Sequence, residues 1–440
     1  MRRVLMISPQ FPPDTGAATH RVRLLAPHLP RHGWEPTILT VDPRDYEGRL
    51  DPGLQELVPP DLRVIRCRAW PARLTRRVGV GDLGLRAFTA LRARARELLE
   101  REAFHALFIT IFPAYPAMLG PALKRRFGVP FVLDYIDPWI GAWGDTVGGG
   151  PDGRPDWKSR LSRAVATFLE PRAVRAADAI TAVSDATWEQ LRARYPALQR
   201  VPCASIPFGG EPADFERVRR VPRANEYFDP GDGCAHVCYA GTLLPLGGET
   251  LRAVLEAVRR LAGRRPELYH RLRLHFFGTS NQTTPGAPPR VLPMARVVGV
   301  DDVVREQSAR IDYLDALTVQ TQATALLLLG SSEAHYTASK LFPALYARRP
   351  ILAVCHEASS VVDILGKIGG APTIRVVTYG DAERAETRVD AIGAALEALV
   401  ERPRYDETAV DRAAMDEYQA SALAGRLAHV LDGVAREGRG

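Results

Sequence analysis

The sequence predicts an α/β protein built from two Rossmann-like, doubly wound parallel-sheet domains facing each other across a cleft. Three observations carry this expectation. The chain has 440 residues, more than one hydrophobic core ordinarily organises. Short apolar runs of strand length alternate with helical stretches, the pattern of parallel strands joined by crossover helices. That alternation stops once, in a polar segment from Glu211 to Gly233, and then starts again.

In the first half, Val4–Ile7 reads as a buried strand, and Arg21–His32 as a helix that Gly33 ends. Glu35–Val41 and Leu62–Cys67 read as further strands. Leu85, Phe88, Leu91 and Leu98 recur at helical spacing, which places a helix at about 83–101. Ala106–Phe112 and Phe131–Tyr135 read as strands around a helix near 116–127, and Ala179–Ser184 and Ser205–Phe208 close this half. Residues 211–233 carry three prolines and late glycines and read as a linker. Beyond it, strands are expected at Val237–Gly241, Leu272–Phe277, Ala325–Leu329, Ile351–Val354 and Thr373–Val377. Helices are expected at about 248–262, 312–322, 338–348 and 360–367. The expected division is an N-terminal Rossmann-like domain at 1–210, the linker at 211–233, a C-terminal domain at 234–383, and helices at 384–440 that pack back toward the N-terminal domain.

Composition narrows the function classes. Hydrophobic residues make up 46% and charged residues 25%, a globular profile that excludes a largely disordered chain. The longest apolar stretch, Ala323–Leu329, is too short to span a bilayer. Met1-Arg2-Arg3 leads straight into Val4–Ile7 without the apolar length of a signal peptide, so a cytoplasmic location is expected. Cys67, Cys203, Cys234, Cys238 and Cys355 form no C-x-x-C pair and read as free thiols. The net charge is +7, and residues 1–220 hold 33 Lys and Arg against 24 acids. Eleven arginines fall between Arg63 and Arg101. They fit either a solvated helix face or a patch for an anionic membrane surface or phosphorylated substrate.

Ligands of such sheets bind beyond the carboxyl ends of the strands. The loop Ser8–His20 brings Gly16-Ala17-Ala18 to a helix start, where backbone N–H groups and the helix dipole favour anions, and His20 follows. It lacks G-x-G-x-x-G, so a nicotinamide site is not indicated. After the first strand of the second half comes Gly241-Thr242, then Gly247-Gly248. Gly278-Thr279-Ser280 and Gly330-Ser331-Ser332-Glu333 end later strands, and Ser339-Lys340-Leu341 opens a helix. Lys340 is one of four lysines beside 54 arginines, which fits either a use for its compact charge or an incidental surface lysine. Asp137 leaves a buried strand ahead of Pro138-Trp139 and is a candidate base or acceptor-orienting group, or a loop-capping aspartate. Trp139 and Trp143, near Gly144 and Gly148–Gly150, mark either a mobile loop that could cover a ligand or a surface loop with partly buried indoles.

The order of these loops resembles glycosyltransferase family 4, a group of retaining enzymes with the two-domain GT-B fold. Ile7–Pro13 with Gly16 is similar to the family's opening loop. Asp134-Tyr135-Ile136-Asp137-Pro138-Trp139 resembles an aspartate-rich segment of some bacterial members. Tyr239–Leu243, Ser339–Phe342 and Arg349–Ala353 resemble donor-domain motifs. The resemblance implies transfer of a sugar from a nucleotide-diphosphate sugar to an acceptor hydroxyl, on a glycan, a lipid-linked carrier or a small molecule, with retention. It implies Gly241, Thr242, Ser339, Lys340 and Gly16 near the phosphates, and Glu333 near sugar or ribose. Ser280 and Leu341 complete the candidate substrate-binding set, and Asp137 and His20 are the candidate catalytic residues. The family's usual Arg and Lys are Thr242 and Gly247 here, and its second glutamate falls at Pro343.

No D-x-D pair occurs, so no obligatory metal and no other cofactor is expected, nor is a nucleic-acid partner, since no reader motif accompanies the basic patch. The rival readings are a non-catalytic nucleotide-sugar-binding or scaffold protein and a sugar-nucleotide epimerase on the same fold.

Overall fold

A computed structural model of the chain describes residues 1–140, 157–243, 245–280, 286–331 and 339–437. Contacts divide the chain into one unit of Met1–Phe208 with Ala420–Gly440 and a second of Gly209–Gln419.

The first unit is organised by seven parallel strands in the order β3-β2-β1-β4-β5-β6-β7. They are β1 (Arg2–Ile7), β2 (Trp34–Val41), β3 (Arg63–Cys67), β4 (Ala106–Ile111), β5 (Phe131–Tyr135), β6 (Ala179–Ala182) and β7 (Cys203–Ser205). Winding reverses between β1 and β4. Both faces are covered, and the period of two sorts the strand residues between them. Leu5 and Ile7 pack with Leu91, Leu98 and Leu133 on one face, and Val4 and Met6 pack with Val22, Leu25, Leu427 and Leu431 on the other. The helix Ala17–Leu25 passes into a 3-10 turn that ends at Gly33, whose φ of 81° is the left-handed conformation that favours glycine.

The second unit has six parallel strands in the order β10-β9-β8-β11-β12-β13. They are β8 (Ala235–Ala240), β9 (Leu272–Phe277), β10 (Val304–Gln307), β11 (Ala325–Leu329), β12 (Ile351–His356) and β13 (Ile374–Tyr379). Its switch point lies between β8 and β11. The helices Gly248–Arg264 and Val389–Glu401 pack on one face, where Leu251, Val258, Leu396 and Leu399 join Val237, Leu274 and Leu327.

Several elements differ from the sequence expectation. The last strand of the first unit is Cys203–Ser205 rather than Ser205–Phe208, because the carbonyls of Ile206 and Pro207 accept from the buried Arg21 guanidinium instead of a neighbouring strand. β10 was not expected at all. Residues 212–220 of the polar segment form a helix, Pro212–Arg220, whose Phe215 and Val218 are buried in the second unit. The helix expected at 338–348 is Leu341–Tyr346. Of the tail, 384–419 belongs to the second unit and the helix Ala420–Glu437 to the first.

Candidate functional site

In the first unit the candidate residues sit at the carboxyl edge of the sheet. Gly16 is the N-cap of the helix Ala17–Leu25. Asp14, buried, accepts from the Gly16 N–H at 2.8 Å and from the Thr19 hydroxyl at 2.6 Å, so one helix-start donor is already satisfied within the chain. A Cβ on Gly16 would stand 2.8 Å from Asp14 Oδ2 and 2.9 Å from Gln10 Nε2. His20, half-buried, lies with Nδ1 at 3.4 Å from Arg23 Nη2. Asp137 is exposed directly beyond β5, one strand removed from β1, and Trp139 packs edge-on against Tyr115.

What supports that loop is a buried carboxylate. Glu170, fully buried, accepts from the Tyr195 hydroxyl at 2.7 Å, the Tyr135 hydroxyl at 3.3 Å and Arg194 Nη1 at 3.1 Å. Arg194 Nη2 in turn donates to the Ile140 carbonyl at 2.9 Å. Burial pushes the Glu170 carboxyl up, against the pull of these partners. Asp134, one strand residue inside, is held by Arg21 at 2.7 and 2.8 Å and by Thr181 at 2.6 Å.

In the second unit the edge is tighter. Gly241 follows β8 and donates its N–H to the Phe277 carbonyl at 2.8 Å. A Cβ there would collide with the Lys340 side chain, whose Cγ would lie 2.9 Å away. Gly241 and Lys340, separated by most of the unit's sequence, are therefore in contact. Lys340 is the N-cap of Leu341–Tyr346, and Leu341 is buried beneath it. Thr242 gives its carbonyl to the Tyr239 hydroxyl at 2.9 Å. Ser280 is buried, and its N–H donates to the Ser308 carbonyl at 3.0 Å. Gly330 is pressed on β12, where a Cβ would meet Cys355 Cα at 2.8 Å. Ser339 is half-buried. Glu333 lies outside the described residues, as do Ser332, Trp143, Gly144 and Gly148–Gly150.

The structure adds residues that the sequence reading missed. Arg310, in the turn after β10, has its Cα 3.7 Å from where a Gly278 Cβ would stand, which puts a guanidinium-bearing residue at this edge. Glu306 of β10 accepts from the N–H groups of Arg290, Val291 and Leu292 at 2.8, 3.0 and 2.9 Å and from the Thr279 hydroxyl. Both depend on an edge strand with no apolar run, so neither had a sequence signal. Among the described residues no group of three or more His, Cys, Asp or Glu side chains is placed to hold a metal ion, and no helix is long and apolar enough to cross a membrane.

Residues 16–209, just under half of the chain, match the model of the glycosyl transferase 4-like domain. An α,α-trehalose-6-phosphate synthase from Burkholderia multivorans superposes with a TM-score of 0.60 at 12% identity, covering 99% of this chain and 100% of its own. The UDP-forming α,α-trehalose-phosphate synthase of Burkholderia xenovorans, in complex with glucose-6-phosphate, gives 0.59 at 10% identity, with both chains covered completely. Anabaena HepE in complex with UDP-glucose gives 0.51 at 14% identity, covering 100% of this chain and 98% of its own. No curated protein sequence matches significantly. At such identities the structures establish the fold. The chain has the GT-B fold, with a glycosyl transferase 4-like domain in its first unit, as its motif order led us to expect.

Proposed function

We propose that the chain is a glycosyltransferase that takes a nucleotide-diphosphate sugar on the carboxyl edge of its second sheet and passes the sugar to an acceptor hydroxyl, with retention. The observation that carries this reading is the contact of Lys340 with Gly241. A side-chain-free turn beside an ammonium group is a place where a diphosphate meets backbone and cation together. Gly241, Thr242, Ser280, Ser339, Lys340 and Leu341 form the donor site in this reading. Arg310 supplies charge that Thr242 and Gly247 no longer provide. Departure of the nucleoside diphosphate leaves negative charge on its β-phosphate, and fixed cations stabilise that charge as it develops.

The acceptor goes to the first unit in this reading, with Asp137 and His20 as the groups that orient or deprotonate its hydroxyl and Gly16 at the start of the helix that carries His20. No metal or other cofactor enters this scheme. The exposed side chains of Trp70, Leu74 and Val78 beside Arg73 and Arg77 support docking of this unit on an anionic membrane, where lipid-linked acceptors reside. Replacing Arg73 and Arg77 by Glu should reduce partition onto anionic vesicles; unchanged partition would remove the membrane from the proposal.

The test of transfer is release of nucleoside diphosphate from a panel of nucleotide sugars in the presence of acceptor extracts. Acceptor-dependent release supports the transferase. Binding without release would favour the non-catalytic reading, which the replacements at Thr242, Gly247 and Pro343 keep alive, and donor conversion without any acceptor would favour the epimerase.

A further inference from the structure

At the opposite, amino edge of the second sheet, a cavity of about 390 Å³ opens between the helix Pro212–Arg220, the end of the helix Tyr313–Gln322 and the turn after Tyr346. Four arginines line it: Arg219, Arg223, Arg348 and Arg349. Their acid partners are few. Arg223 pairs with Asp315 at 3.2 Å. Arg348 shares Glu407, at 3.4 Å, with Arg412 at 3.1 Å. Arg219 reaches the Tyr346 carbonyl at 3.3 Å, and Arg349 spends its Nε on the Thr321 carbonyl at 2.7 Å. Glu216, which also faces Arg219, pairs with Arg220. Burial, and then the charge of Arg348, hold the Arg219 guanidinium below its usual range, against the pull of Glu216 and Glu407.

The backbone adds an independent observation. Arg348 has a φ of 55°, the sole positive value among the described non-glycine residues. It occupies the position just past the cap of Leu341–Tyr346, where glycine is ordinarily favoured. The chain thus keeps an arginine in a conformation that costs it, at the mouth of a cavity already rich in guanidinium groups.

We propose that this cavity binds the phosphate group of a small molecule, at a second anion site separate from the strand edge that carries Gly241 and Lys340. Guanidinium forks match phosphate oxygens in pairs, and the volume lies within the roughly 300–1,000 Å³ of small-molecule sites. The inference does not depend on the transferase reading, since no residue is shared between the two places.

The experiment is calorimetric titration of the whole chain with inorganic phosphate, glucose 6-phosphate and UDP-glucose, using wild type, Arg348→Gly, Arg219→Gln and Lys340→Ala. Arg348→Gly relieves the backbone, so its melting temperature without ligand should equal or exceed that of wild type. Inorganic phosphate or glucose 6-phosphate should bind wild type and Lys340→Ala alike, and about tenfold more weakly to Arg348→Gly and Arg219→Gln. Tighter binding of glucose 6-phosphate than of phosphate would identify a phosphorylated sugar as the source, and equal binding the free ion. Absence of binding at millimolar concentration, or binding that Lys340→Ala abolishes and the arginine variants leave intact, would overturn the proposal. Failure of UDP-glucose to bind would exclude that sugar nucleotide as the donor and would leave the phosphate cavity standing.

Discussion

At Gly241 the side chain is a hydrogen because Lys340 fills the space where a methyl group would stand. Gly241→Ala must therefore push Lys340 away, and overpacking of this kind costs about 1–3 kcal/mol. We expect that loss in urea unfolding, together with weaker nucleotide-sugar binding; an alanine variant with unchanged affinity would separate Lys340 from the donor. The buried pair Arg21–Asp134, with both side chains essentially inaccessible, makes a second prediction. Arg21→Ala strands a buried carboxylate and should lower the unfolding free energy by about 3–5 kcal/mol. His275 makes a third. Burial, and then the charge of His236, whose Nδ1 lies 3.0 Å from His275 Nε2, depress it from 6.5 to about 3. Arg305 and Arg273 push the same way and Asp232 opposes them. The fold favours the neutral ring, so its contribution to stability is complete above the unfolded value of 6.5 and is lost as pH falls toward 3. Urea midpoints should drop over that range in wild type, and less in His275→Phe, which removes the titrating ring nitrogen.

Among elements, the turn after β9 is held by a strand too polar to be noticed in the sequence. β10 reads Val304-Arg305-Glu306-Gln307, and only Val304 is fully buried. It is an edge strand, so half of its surface meets solvent and no apolar run announces it. Its Glu306 nevertheless caps the helix Leu292–Val298 through three backbone N–H groups and fixes Thr279 beside Ser280. Glu306→Ala should cost about 2–3 kcal/mol, as charge-assisted hydrogen bonds to three backbone N–H groups and the Thr279 hydroxyl are lost. A loss below 1 kcal/mol, by the same scale of hydrogen-bond worth, would mean the cap is dispensable. Central strands were legible for the opposite reason. Two of them are covered on both faces: Ala325–Leu329 appears as an unbroken apolar run, and Phe131–Tyr135 as one interrupted only by Asp134. The helix Pro212–Arg220 was not, because its two buried apolar residues, Phe215 and Val218, are outnumbered by charges on the solvent side. Of the candidate site, the glycines and Lys340 were legible because a compact turn and a scarce residue type leave marks in sequence. Arg310 and Glu170 were not, since one arginine among 54, or one glutamate in a long helix, acquires meaning only from its neighbours in space.

For the whole molecule, chain order and unit membership diverge at one point: the last helix, Ala420–Glu437, completes the first unit and covers the face built on Val4 and Met6. Charge is also less concentrated than a count suggests. Arg63 pairs with Glu102, Arg68 with Asp45, Arg76 and Arg86 with Glu47, and Arg94 and Arg101 with Glu97, so much of the positive segment is neutralised locally. Arg73 and Arg77 are exposed beside exposed apolar side chains, and the proposed membrane docking uses that arrangement. The proposed function therefore places donor recognition on the second unit's strand edge rather than on the bulk charge of the first. Calorimetric titration of wild type and Lys340→Ala with UDP-, GDP-, ADP- and dTDP-linked sugars tests that directly. We predict that at least one donor binds wild type with a stoichiometry of about one and binds Lys340→Ala about tenfold more weakly. Binding of none of them, or equal binding to both proteins, would contradict it.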